Sequence, residues 1–98
     1  MTARLVGELD LVTVPAFEQR VEGLRAEGAR HLTLDLADLS FIDSTGLSAL
    51  VATLKRYRAD GGNVILRSPT RATTKVLEIS GLLQVFTIEG AAPPPSSS

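Results

Sequence analysis

Along this chain the spacing of apolar positions switches repeatedly between the period of a strand and that of a helix, and the order of those switches predicts the elements. Arg4-Leu5-Val6-Gly7-Glu8-Leu9 alternates as a short strand closed by polar residues. Thr13-Val14-Pro15 then opens a helix with proline in the first turn, and Phe17, Val21 and Leu24 recur along one helical face. Glu18, Arg20, Glu22 and Arg25 fall mostly on the other faces, and Gly28 ends the element. His31 to Leu36 is alternating and rich in apolar residues, as a central strand is, and Phe41-Ile42 follow as a further apolar pair. Leu47, Leu50, Val51 and Leu54 trace the buried stripe of a second helix that Asp43 or Ser44 caps and that runs to about Arg58. Asp60-Gly61-Gly62-Asn63 reads as a turn and Val64-Ile65-Leu66 as a third strand. Ser68-Pro69 starts a third helix, with Val76 and Ile79 inward and Gly81 at the C′ position, and Val85-Phe86-Thr87-Ile88 is the last strand.

Strict alternation of strand and helix requires crossover connections, which predicts an α/β layered fold: a small, largely parallel or mixed sheet with helices packed on it. Alternation alone leaves open whether the helices cover one face or both. The chain has 98 residues, enough for one domain over residues 1–89, and the Pro- and Ser-rich segment 90–98 has too little apolar content to pack and is expected to be disordered. The net charge of −1 is dispersed, which gives no footprint for nucleic acid. Cysteine is absent, which excludes disulfides and thiolate metal sites. The first residues lack a signal peptide's apolar core, and no window reaches the roughly 18 apolar residues of a membrane span, so the expected location is the cytoplasm, without membrane insertion.

The candidate chemistry lies in Asp43-Ser44-Thr45-Gly46. Asp and Ser are the preferred caps of a helix, and a cap is the plain reading of this segment. The same position also sets hydroxyls beside free N–H groups and the positive end of the helix dipole, where an anion is stabilised. A small-molecule site, a hydrolase or a phosphorylation switch could use it. A triad of Ser44, His31 and Asp43 lacks the Gly-x-Ser-x-Gly elbow, and His31 reads as a strand-end surface residue. Gly61-Gly62 is turn chemistry, and without a phosphate-loop pattern neither nucleotide nor other cofactor is expected. Ser48, Ala52 and Lys55 trace a second face of the same helix, on which small residues near the start, Ser48 above all, would let a partner come close.

Gly7-Glu8-Leu9-Asp10, Leu34-Asp35-Leu36, Leu39 to Leu47 with Asp-Ser-Thr-Gly inside it, Gly61-Gly62 and Ser80-Gly81-Leu82 together resemble, in order and spacing, the STAS domains of bacterial anti-sigma factor antagonists. The resemblance covers roughly Leu5 to Glu89. It implies a partner-switching protein that is not an enzyme: the unmodified form binds an anti-sigma factor that is also a serine kinase and so frees a sigma factor. The kinase then phosphorylates the hydroxyl residue after the Asp, which maps onto Ser44, and a serine phosphatase resets the cycle. The implied partner surface comprises Glu8, Asp10, Asp43, Ser44, Thr45, Gly46 and Ser48. A STAS accessory subunit of a membrane transporter is the alternative. Family members usually carry one more strand before Gly-Glu-Leu-Asp and one more helix at the end. The shorter start leaves the edge at Leu5-Val6 open to pairing, which makes a homodimer a further expectation.

Overall fold

The computed structural model describes residues 1–90, and the segment expected to be disordered lies outside the described residues from position 91 on. Strands β1 (Thr2–Leu9), β2 (His31–Ile42), β3 (Asn63–Arg67) and β4 (Thr87–Glu89) alternate with helices α1 (Val14–Ala26), α2 (Ser44–Ala59) and α3 (Arg71–Ile79). All the strand pairs are parallel, in the order β1-β2-β3-β4. Each crossover therefore steps in the same direction across the sheet. Because such crossovers are right-handed, all three helices fall on one face.

Burial follows from that arrangement. Ala3, Leu5, Leu9, Leu32, Leu34, Leu36, Val64 and Leu66 are buried beneath the helices, while Arg4, Val6 and Thr87 on the opposite face are exposed. Phe17 and Val21 of α1, Leu50, Leu54 and Tyr57 of α2, and Leu77 of α3 join the strand residues in one core. The open face carries polar pairs instead: Arg4 donates to Asp38 through Nε at 2.7 Å, and Arg67 to Glu89 at 3.0 Å.

The local signals locate the elements, with four differences. β2 does not stop at Leu36. It continues to Ile42 because two register shifts against β1, between Arg4 and Val6 and between Gly7 and Glu8, each add a residue on the β2 side. Buried positions in this half consequently recur every third residue, at Leu36, Leu39 and Ile42, and Phe41 is turned out to solvent at 49 % exposure. On α3, Ile79 is 76 % exposed instead of inward. Thr73 and Leu77 hold the buried stripe, and Ile79, two residues past Leu77, points about 200° away from it. This helix begins at Arg71 with Thr70 as its cap, after Ser68 takes a left-handed φ of 53° and Pro69 follows. Leu82 to Phe86 forms a turn, so β4 begins only at Thr87.

Gly62 is fixed by a close approach: any Cβ there would overlap the Arg30 carbonyl, which accepts the Asn63 N–H at 3.1 Å. The far ends of α1 and α2 are tied by charge. Arg25 donates to Asp60 at 2.5 Å and to Glu22 at 2.7 Å, and the buried Tyr57 hydroxyl donates to the Val21 carbonyl at 2.9 Å. The hydrogen bond from Arg25 holds the Asp60 carboxyl below its usual range, and desolvation pushes the Tyr57 phenol up. These contacts set the axis of α2, and with it the place of its amino end.

Candidate functional site

The candidate site forms where β1 and β2 finish together. Leu9 pairs with Ile42 on the last rung, and the Asp43 N–H donates to the Leu9 carbonyl at 3.3 Å. The chain leaving β1 and the chain starting α2 therefore lie side by side at the carboxyl end of the parallel sheet, where loops of α/β folds collect function. Gly46 makes this closeness feasible. It is buried, and a Cβ on it would run into the Leu9 carbonyl and stand 2.8 Å from Ile42 Cγ1.

Asp43 has extended backbone, φ −107° and ψ −174°, and is the N-cap of α2. Its Oδ1 accepts the Gly46 N–H at 2.9 Å and its carbonyl accepts the Leu47 N–H at 2.9 Å. That decides between Asp43 and Ser44 as the cap: the carboxylate serves the helix, and the Ser44 hydroxyl is left over. Ser44 is exposed at the first helical position. Among the described residues its hydroxyl has no hydrogen-bond partner, and the N–H groups of Ser44 and Thr45 have no protein acceptor. A hydroxyl on the outside of a helix start, beside two open donors, can be reached by an enzyme and can carry a phosphate without repacking the core.

The loop between β1 and α1 is ordered by Asp10. Its Oδ1 accepts the Val12 N–H at 3.0 Å and the Thr13 N–H at 3.1 Å, so this half-buried carboxylate shapes the loop. Glu8 projects from the exposed face one step earlier. Glu8, Ser44 and Ser48 are thus exposed, and Asp10, Asp43 and Thr45 half-buried. Gly46 is the exception among the residues assigned to the partner surface: it lies beneath that surface and acts as the packing contact that draws α2 against β1.

Sequence reasoning missed several apolar residues around this site. Leu11 and Val12 stand 73 % and 83 % exposed in the Asp10 loop, and Phe41 is exposed across from Glu8. Two adjacent apolar residues inside a turn were the available signal, since a loop that short has nothing to bury them against. Leu47 and Val51, assigned to the core stripe, are only half-buried. With Ser48, Ala52, Lys55 and Leu82 they line a surface groove of about 460 Å³ that begins one turn from Ser44. Among the described residues there is no group of three or more His, Asp or Glu side chains placed to hold a metal, and no helix long and apolar enough to cross a membrane.

A family model for the STAS domain matches residues 1–91. The chain belongs to the STAS domain family. Among relatives of this STAS domain, the anti-sigma-B factor antagonist of Staphylococcus epidermidis is 36 % identical over 76 residues, covering 78 % of this chain and 70 % of that protein. The anti-sigma factor antagonist SpoIIAA in its unphosphorylated form superposes with a TM-score of 0.77 at 28 % identity, over 94 % of this chain and 78 % of the other. The Bacillus cell fate determinant SpoIIAA in its phosphorylated form gives 0.70 at 28 % identity, over 94 % and 81 %. The parallel sheet with alternating helices is therefore the STAS fold.

Proposed function

We propose that this STAS domain is an anti-sigma factor antagonist that works as a partner switch, with Ser44 as the phosphorylated residue. The unphosphorylated form binds an anti-sigma factor with serine kinase activity and so releases a sigma factor; phosphorylation of Ser44 ends the complex, and a serine phosphatase restores it. The observation that carries this reading is the exposed Ser44 hydroxyl, left without a partner because Asp43 caps the helix in its place. Relatives named as anti-sigma factor antagonists, one of them known in both phosphorylation states, support it.

Charge explains how such a switch works without refolding. A phosphate adds about −1.5 to −2 charges next to Asp43 and near Glu8 and Asp10, and a docked partner would have to desolvate that charge beside existing carboxylates. In the free protein the open N–H groups of Ser44 and Thr45 and the dipole of α2 stabilise the same phosphate. Leu11, Val12, Phe41 and the groove along α2 supply apolar area around the charged spot. The test is incubation with the cognate kinase and ATP, mapping by mass spectrometry, and calorimetric binding of Ser44→Ala and Ser44→Asp. Phosphate on Ser44, with Ser44→Ala bound and Ser44→Asp weakened, is the expected result. Phosphate confined to Thr45 or another residue, or equal binding of both variants, overturns the proposal.

A further inference from the structure

The sheet buries one face beneath the helices, and among the described residues no element packs on the opposite face. The middle of that face carries an ordered row of charge. Arg4, Asp35, Arg67 and Glu89 are register partners on β1, β2, β3 and β4, so they stand side by side across the sheet with signs that alternate strictly. Thr2, Thr33, Ile65 and Thr87 form the row two residues earlier. The charged row is not closed upon itself. Arg4 turns aside to Asp38, and Arg67 donates to Glu89 only through Nε at 3.0 Å, so its Nη groups have no hydrogen-bond partner among the described residues. Asp35, half-buried between two arginines, accepts the Ala37 N–H at 3.0 Å and has no ion-pair partner among the described residues. β2 and β3 are inner strands, so Asp35 and Arg67 hold the centre of this face whatever pairs at either edge of the sheet.

We propose that this face docks a second copy of the chain, sheet against sheet. A row of strictly alternating charge across an even set of strands is its own complement. A half-turn about an axis that runs along the strands between β2 and β3 places Glu89 of one copy over Arg4 of the other and Arg67 over Asp35, and the same pairs recur on the far side of the axis. In the neighbouring row Ile65 comes to lie over Thr33 and Thr87 over Thr2. Packed sheets stand about 10 Å apart, a gap that an arginine and an aspartate reaching towards each other span. Sheet twist sets the two copies at about 30°, which keeps the central Asp35–Arg67 pairs in line and leaves the outer pairs to the longer side chains of Arg4 and Glu89. The face offers each copy roughly 400 Å², short of the ~800 Å² per partner of a stable complex, so the pairing is weak and concentration-dependent. The axis preserves strand direction, so both copies carry Ser44 at the same end of the dimer, and α2 lies on the side away from the contact.

Sedimentation equilibrium from roughly 10 μM to 1 mM tests this on the wild type, Asp35→Arg, Arg67→Glu and an equimolar mixture of the two variants. The wild type should gain mass towards that of a dimer at the top of the range, and should lose it at about 1 M salt, where the screening length falls to ~3 Å. Either variant alone sets like charges face to face across the axis and should dissociate about tenfold more readily or worse. In the mixture every central pair is again of opposite sign, so two proteins that stay monomeric alone should form a heterodimer as tight as the wild-type dimer. That recovery separates a lost interface from a damaged fold, and urea midpoints of the two variants check the fold directly. A wild type that stays monomeric throughout, which leaves the face to another protein or to residues beyond 90, overturns the proposal. So does a dimer insensitive to salt, a dimer indifferent to both substitutions, or a mixture of folded variants without heterodimer.

Discussion

Replacing Gly46 by alanine should destabilise this domain even though alanine is the better helix former. Freed of its surroundings, a glycine-to-alanine change inside a helix gains up to about 1 kcal/mol. At Gly46 the new methyl meets the Leu9 carbonyl, which is backbone and cannot swing aside, and it stands 2.8 Å from Ile42 Cγ1. Carbon pairs are at rest near ~3.5–4.0 Å, so α2 must retreat from β1 by roughly 1 Å or the strand ends must part. Such overpacking costs about 1–3 kcal/mol, towards the upper end here because both obstacles are anchored in the sheet. The net expectation is a loss of about 1–2 kcal/mol, which for a domain of this size lowers Tm by roughly 5–15 °C. Gly23 provides the internal control. It sits in α1, and a methyl added there would have nothing within 4 Å of it, so Gly23→Ala should gain about 0.5–1 kcal/mol. Urea unfolding of both variants beside the wild type measures the two effects. A Gly46→Ala protein as stable as Gly23→Ala would refute the argument that α2 is seated against β1 through the missing side chain. Because that seat places Ser44, Gly46→Ala should also slow phosphorylation by the kinase more than its stability loss explains.

Two further predictions come from polar contacts at the two ends of α2. Asp43→Ala removes the acceptor of the Gly46 N–H and should cost about 1 kcal/mol, within the usual ~0.5–2 for a lost cap, whereas Asp43→Asn should retain most of it; urea midpoints of the two variants decide. Asp60 is held below its ordinary carboxyl pKa of 3.8 by Arg25, so the unfolded chain takes up the proton first as the solution is acidified. The contact therefore contributes fully above that value and is lost as pH falls through the lower folded pKa. Wild type should be more stable than Asp60→Asn at neutral pH, and the difference should shrink as the solution is acidified below the ordinary value of 3.8; a gap independent of pH would show that the Arg25 contact does not stabilise the fold.

The alternating fold and the place of the candidate site were legible because their signals are local. Gly28 and Gly81 follow their helices with φ of 97° and 73°, the conformation that ends a helix most cheaply. α2 starts at the Asp-Ser pair, as two cap-forming residues after an apolar strand indicate, though the pair alone left open which of the two is the cap. What escaped was non-local. The strand period of β2 breaks after Leu36 because β1 imposes two register shifts, so Asp38 and Leu39 swap the faces that alternation assigns them. Ile79 was misplaced because its spacing from Val76 fits a helical stripe, while the sheet in fact receives Thr73 and Leu77.

Sequence alone determined which elements form, their order, and a candidate hydroxyl pair, Ser44 and Thr45, at a helix start, since periodicity, caps and turn residues act over a few neighbours. Tertiary structure decided how those pieces meet. The succession of right-handed crossovers put every helix on one face, and close packing at Gly46 brought the end of β1 against the start of α2. Which of Asp43 and Ser44 spends its oxygen on the helix, and that the Arg4 carbonyl receives the Arg20 guanidinium, depend on how the folded backbone sets its atoms in space. Hydrogen bonds discriminate at a few tenths of an ångström, and no spacing along a one-dimensional sequence encodes that distance.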